Sequence, residues 1–212
     1  PYIDHFNIAE IEQPIIEDYA ITGFVNSTAD EDGIVRSAFV TTDFEGKTYG
    51  SFAHEIYSLY CQNTGEVANT PRLDKNGRMW INYAGRPYDY EHISLCDVVS
   101  GKVDPKIFTD CIVMVGAYAT GLQDQFSVPN SADQMFGVEI HANIVQALLD
   151  GKCPVPANRF LSAVLSGLIA GVVYFISRKY RLSVSSAVAF VAVAGSIAGG
   201  VDCNNFGTSF PI

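Results

Sequence analysis

The chain has 212 residues, of which 48% are hydrophobic and 17% charged, and its formal net charge is -10 at pH 7. The charge is unevenly distributed, because residues 1–157 hold 22 acidic and 9 basic side chains, whereas residues 158–212 hold one acidic and four basic. The first part argues against binding to nucleic acid, since phosphate binding requires clustered Lys and Arg. The layout predicts an acidic domain over residues 1–157 and a membrane region over residues 158–212.

The ends of the chain predict that it is part of a longer protein. It begins at Pro1 without a basic segment followed by an apolar run, so no signal peptide is predicted. It ends at Ile212, shortly after an apolar stretch. We expect an internal fragment.

The cysteines do not predict a metal site. All five lie at wide, irregular spacing without a CxxC pair: Cys61, Cys96, Cys111, Cys153 and Cys203. Such spacing favours neither a zinc site nor a dense disulfide framework, and we expect no cofactor. Cys111 lies within an apolar run, so we expect it to be buried.

The first elements of the acidic domain are two strands and a helix. Residues 33–49 predict a strand pair around a polar turn at 43–46. Ser51 then precedes a helical pattern over 52–62 and is a candidate N-cap. A short strand is predicted within 78–85, and a second short helix from Ser94 to Val99, which ends at Gly101.

The second half of the acidic domain contains the most regular pattern. Residues 111–117 form a continuous apolar run, which predicts a strand buried on both faces. A loop containing glycine follows, and then a helix from Gly137 that ends at Gly151. Strand, loop and helix in this order indicate the α/β class, so we predict a layered α/β domain with a central mixed sheet.

Two uncharged runs predict transmembrane helices. Residues 160–177 and 182–201 are each long enough to cross a bilayer, which takes about 20 helical residues. The four-residue link 178–181 carries three basic side chains and is predicted to be cytoplasmic, which places residues 1–157 and Asp202 outside. The alternative, a buried helical hairpin in a soluble protein, is less favoured because neither run has a charged face.

Five motifs in one order resemble the CHASE family of the second class. They are GFVN at 23–26, DGIVR at 32–36, VGAYATGLQD at 115–124, VP at 128–129 and GVEIHAN at 137–143. The resemblance covers roughly residues 22–156. The N-terminal third of the family is missing here, and Val128 stands where the family usually has Thr.

The resemblance implies an extracellular sensory domain of a bacterial receptor at the cell membrane. It implies a cytoplasmic output domain, for which we expect an adenylate cyclase first, a sensor histidine kinase next and a serine/threonine kinase third. Since such outputs work as dimers, we expect a homodimer. The fragment itself is not expected to be an enzyme, and the resemblance names no ligand.

The candidate ligand-binding residues lie around the corner between loop and helix. They are Asp124, Glu139, His141 and Asn143, close to the point at which α/β sheets commonly bind ligands. These side chains could hold an extracytoplasmic small ligand, with His141 responding to pH between about 5 and 8. Alternatively they satisfy backbone groups of the loop and the helix start, which is the favoured interpretation.

Arg36 is the fifth candidate, and a salt bridge to a carboxylate is its favoured role. The acidic residues 30–32 are expected to form a solvated turn rather than a calcium loop. No catalytic residue is predicted, because the chain contains no GxSxG, HExxH, GxxxxGK[ST] or complete GxGxxG motif.

Two functions follow from these patterns. The first is the sensory part of a transmembrane receptor, with a third membrane span expected after Ile212. The second is a membrane-anchored extracytoplasmic hydrolase or binding protein whose helical hairpin serves as an anchor.

Overall fold

The structure is a computed structural model that describes residues 20–26, 28–119, 121–122, 124–155 and 159–179. The chain divides into two compact units, Pro1–Cys153 and Pro154–Ile212, and each is described by itself. The predicted boundary at residue 157 lies outside the described residues, and so do the link 178–181 beyond Lys179 and the predicted second span 182–201.

The first unit combines short strands with two longer helices. Its elements in chain order are β1 Ser37–Phe39, β2 Thr41–Phe44, β3 Lys47–Gly50, α1 Phe52–Thr64, β4 Arg78–Trp80, α2 Leu95–Val99, a 3-10 turn Pro105–Phe108, β5 Gln125–Ser127, β6 Gln134–Phe136 and α3 Gly137–Leu149. The second unit contains α4, Arg159–Lys179.

The strands form three antiparallel pairs, β1 with β4, β2 with β3, and β5 with β6. Single parallel bridges, Phe24 to Ser51 and Ile34 to Ser127, link the pairs to neighbouring segments. The α/β class is therefore confirmed, but the central mixed sheet is wrong for the part of the chain that the structure describes.

The hairpin of β2 and β3 follows from its turn. Thr41 pairs with Gly50 and Phe44 with Lys47, and Glu45 and Gly46 both have positive φ values of 49° and 78°. Two such residues give the turn whose twist matches that of the paired strands. The predicted turn is confirmed.

The helices begin and end where local chemistry favours it. Ser51 Oγ accepts a hydrogen bond from the backbone N–H of His54 at 3.3 Å and caps α1. Gly65 ends α1 and Gly151 follows α3, both with positive φ. The predicted helices at 52–62 and from Gly137 are confirmed.

The core lies between α1, α3 and the short strands. α1 packs against α3, and the buried apolar side chains from these helices meet those of β1 and β4. They include Tyr57, Ile140, Ile144, Leu148 and Met79. This packing makes α3 the element against which the irregular segments are arranged.

Residues 111–117 do not form the predicted doubly buried strand. The segment has no regular structure, and Val113 and Val115 are 54% and 70% exposed. Cys111 is exposed rather than buried. The prediction fails because, among the described residues, no neighbouring strand pairs with this run.

α4 occupies the position of the first predicted span, 160–177. Among the described residues, no helix has the length and apolar character needed to cross a membrane.

Candidate functional site

Three irregular segments of the first unit contact the N-terminal half of α3. The backbone N–H of Gly137 donates to the carbonyl of Asp124 at 3.1 Å. A Cβ on residue 137 would lie 2.5 Å from Oδ1 of Asp124. Glycine therefore lets the Asp124 carboxylate approach the start of the helix, where the helix dipole favours negative charge.

Asn143 fixes the segment that follows β4. Its Oδ1 accepts hydrogen bonds from the backbone N–H groups of Ala84 and Gly85, both at 2.9 Å. Its Nδ2 donates to the carbonyl of Glu139 at 3.0 Å and to Sδ of Met135 at 3.5 Å. The side chain is fully buried, so the amide replaces solvent as the partner of a loop that lacks regular structure.

Glu139 joins the same loop to the helix start. Its Oε1 accepts from the backbone N–H of Tyr88 at 2.9 Å, and its Oε2 from that of Phe136 at 3.2 Å. The hydroxyl of Tyr118 lies 3.5 Å from Oε1. The carboxylate is 3% exposed, and these donors compensate part of the cost of burying its charge.

Tyr88 has an unusual backbone conformation at the surface. Its φ is +71°, which is uncommon for any residue other than glycine. The hydrogen bond from its N–H to Glu139 holds this conformation while its side chain is 51% exposed. Strained residues of this kind cluster at ligand-binding sites, which motivates a binding role here.

An aromatic cluster surrounds Glu139. Tyr118 stacks on Phe136 with ring centroids 4.2 Å apart and on His92 at 4.6 Å. Tyr88 meets Tyr118 and Phe136 edge to face. We call Tyr88, His92, Tyr118 and Phe136 the aromatic cluster. Burial, followed by the charge of Glu139, raises the pKa of Tyr118 above its ordinary value, so this hydroxyl stays protonated and available as a donor.

His141 of α3 and Asp124, which directly precedes β5, form a second group. The His141 ring packs edge to face on Phe52 of α1, with centroids 5.4 Å apart. Within the described part of the chain, its buried Nδ1 has no hydrogen-bond partner. Burial lowers the pKa of His141, while the Asp124 carboxylate and a hydrogen bond to the Val25 backbone oppose the shift. This group therefore links the segment around Val25 to α1 and α3.

Arg36 belongs to a separate ion-pair network. Its guanidinium donates to both carboxylate oxygens of Asp32, at 2.9 and 2.8 Å, and to Asp30 at 2.9 Å. The hydrogen bonds from Arg36 lower the pKa of Asp32 to about 2, and Arg78 lies 3.9 Å from Asp30. The guanidinium of Arg36 is therefore occupied by ion pairs with carboxylates of its own loop.

The structure brings four of the five predicted site residues together at the start of α3, three on the helix itself and one directly before β5. These are Asp124, Glu139, His141 and Asn143, whereas Arg36 pairs elsewhere. The prediction that these residues bind a ligand stays a prediction. Sequence reasoning missed the aromatic cluster, although the density of Tyr and His in residues 83–92 was a signal. Groups of His, Cys, Asp and Glu able to hold a metal are absent from the described residues.

We expect His141 to make stability depend on pH. Since its pKa is lowered in the folded state, the unfolded chain binds the proton more readily below about pH 6.5. The stabilisation that the neutral imidazole gives the folded state is fully present above about pH 6.5. It is lost as the pH falls through the lower pKa of the folded state. Urea unfolding at about pH 7.5 and 5 should show a smaller loss of unfolding free energy in His141→Gln than in the wild type.

His92→Gln, which removes an exposed imidazole, is the control and should keep the wild-type loss. If His141→Gln loses as much unfolding free energy between the two pH values as His92→Gln does, burial of His141 does not cause the pH dependence of stability.

Comparison with known proteins identifies the family. No curated protein and no solved structure matches the chain significantly. The model of the CHASE2 domain matches residues 7–177, which is more than half of the chain, and confirms the resemblance seen in its motifs. The match covers α3 with its candidate site and most of α4. The chain belongs to the CHASE2 domain family, whose members are sensory domains of signalling proteins.

Proposed function

We propose that this chain is the sensory part of a transmembrane receptor and that a small extracytoplasmic ligand binds at the N-terminal half of α3. The observation that carries the proposal is Tyr88, a strained and half-exposed aromatic residue tied through its N–H to the buried Glu139. A sensor requires a site whose contacts differ between two states. A strained loop held by the buried side chains of Glu139 and Asn143 meets this requirement.

The ligand would act through the contacts of Glu139. A ligand that packs on the aromatic cluster and offers a donor to Glu139 competes with the hydroxyl of Tyr118, whose contact at 3.5 Å is the longest of the three. It would release or tighten the loop around Tyr88 relative to α3. Because α3 also packs on α1, such a change reaches the core of the first unit.

The membrane and output parts of the proposal rely on sequence. Residues 160–177 carry no charge and are bounded by Arg159 and Arg178, and the four basic residues of 158–212 flank the two apolar runs. We propose a multi-pass membrane protein with the acidic domain outside. An adenylate cyclase is the output we propose first, then a sensor histidine kinase, then a serine/threonine kinase.

We expect a ligand to stabilise the domain. Thermal unfolding of the full chain is measured with a panel of small organic acids, amines and metal salts, because a ligand at 100 times its Kd stabilises the folded state by about 2.7 kcal/mol. At least one class should raise the Tm of the wild type. Tyr118→Phe, which keeps the stacked ring and removes the hydroxyl near Glu139, should change that shift.

Tyr49→Phe is the matched control, since Tyr49 lies in the β2–β3 hairpin, and it should keep the wild-type shift. The proposal fails if no compound raises Tm, or if the two variants respond identically.

We expect the topology to be detectable by thiol labelling. In cells carrying a variant that lacks the exposed thiols of Cys96 and Cys111 and also Cys203, which follows Asp202 and would lie outside in the proposed topology, Tyr180→Cys should react with a membrane-impermeant reagent only after permeabilisation. Val67→Cys, at a position 91% exposed in the first unit, should react in intact cells. Labelling of residue 180 in intact cells would contradict the proposed cytoplasmic link.

A further inference from the structure

A cleft lies at the C-terminal end of α3, at the opposite end of this helix from Glu139. Its volume is about 150 Å³. Leu148 and Cys153, both buried, form its floor, and the irregular segment 69–72 forms one wall. An apolar cavity of about this volume holds benzene, so the cleft has room for a ligand of about six non-hydrogen atoms.

The wall of the cleft is anchored to α1. The backbone N–H of Asn69 donates a hydrogen bond to the hydroxyl of Tyr57 at 2.7 Å. On the facing side, Gly151 has a φ of 64°, and a Cβ on this residue would lie 3.4 Å from Nδ2 of Asn69. Because the wall is held before any ligand binds, a ligand has less ordering to impose on it.

The lining of the cleft differs in charge from the acidic domain around it. Among the described residues that line it, only Arg72 carries a charge, whereas residues 1–157 hold 22 acidic and 9 basic side chains. Arg72 forms no ion pair with any residue that the structure describes. Its guanidinium, the amide of Asn69 and the hydroxyl of Thr70 can all donate hydrogen bonds to an anion.

The end of α3 does not present free carbonyl groups to an anion in the cleft. The last carbonyls of a helix carry partial negative charge, which would repel an anion. Here the carbonyl of Ala147 accepts a hydrogen bond from the N–H of Lys152 at 3.1 Å, and the carbonyl of Leu148 accepts one from the N–H of Gly151 at 3.2 Å. Both carbonyls are therefore already paired, and the donors of the wall determine which ligand the cleft favours.

We propose that this cleft binds a short-chain carboxylic acid in its ionised form. The carboxylate pairs with Arg72 and accepts hydrogen bonds from Asn69 and Thr70, while the alkyl chain packs on the apolar floor. The floor favours an organic acid over an inorganic anion such as phosphate, which would lose hydration there without gaining hydrogen bonds. The volume limits the acid to about four carbons, the size of butyrate.

The proposed site is independent of the function proposed above, because it uses neither Glu139 nor the aromatic cluster. The chain leaves the first unit at Cys153, which lies in the floor of the cleft. A bound acid would therefore stabilise the point at which the acidic domain ends. A ligand response that depends on Tyr118 and one that depends on Arg72 can each be present without the other, so failure of one proposal is distinguishable from failure of the other.

The test is thermal unfolding of the full chain in sodium butyrate and in sodium chloride at equal ionic strength. Butyrate should raise the Tm of the wild type in a saturable way, because it binds the folded state. Arg72→Gln removes the charge from an exposed side chain. It should raise the Kd for butyrate by about tenfold or more, since a hydrogen bond to a charged group is lost.

Lys75→Gln is the matched control, because it removes an exposed positive charge three residues further along the chain, and it should keep the wild-type response. Butyramide, a neutral amide of the same size as butyrate, should leave the Tm unchanged. The proposal is overturned if butyrate acts no differently from chloride, or if Arg72→Gln responds to butyrate as the wild type does. It is also overturned if butyramide or sodium phosphate raises the Tm as much as butyrate, since the alkyl chain alone or any anion would then suffice.

Discussion

The buried polar side chains of α3 determine how the candidate site is assembled. Asn143 and Glu139 lie on one helix and accept hydrogen bonds from the backbone of a loop that has no helix or strand of its own. Each unpaired buried N–H would cost about 1–3 kcal/mol. The loop therefore lies where these side chains are, and the position of Tyr88 follows from the position of α3.

This arrangement connects stability with binding. The Glu139 carboxylate stabilises the left-handed backbone of Tyr88 and lies beside the hydroxyl of Tyr118, so the contacts that order the site are those that a ligand would meet. The structural and ligand-binding interpretations of Glu139 are therefore compatible.

Features set by neighbouring residues were predictable from sequence. The turn of the β2–β3 hairpin, the Ser51 cap and the end of α3 depend on residues a few positions apart. The loop residues that donate to Asn143 and Glu139 lie 51 to 59 positions away along the chain, which no local pattern reveals. The run at 111–117 failed for the same reason, since apolar content favours a strand but does not supply its pairing partner.

Native-state hydrogen exchange tests the central claim, that α3 holds the loop through buried side-chain acceptors. The amides of Ala84, Gly85 and Tyr88 should exchange nearly as slowly as those in the middle of α3, because they are released only when the loop leaves the helix. The exposed Val67 amide provides the rate of an unprotected loop. If the three amides exchange as fast as that of Val67, the account is contradicted.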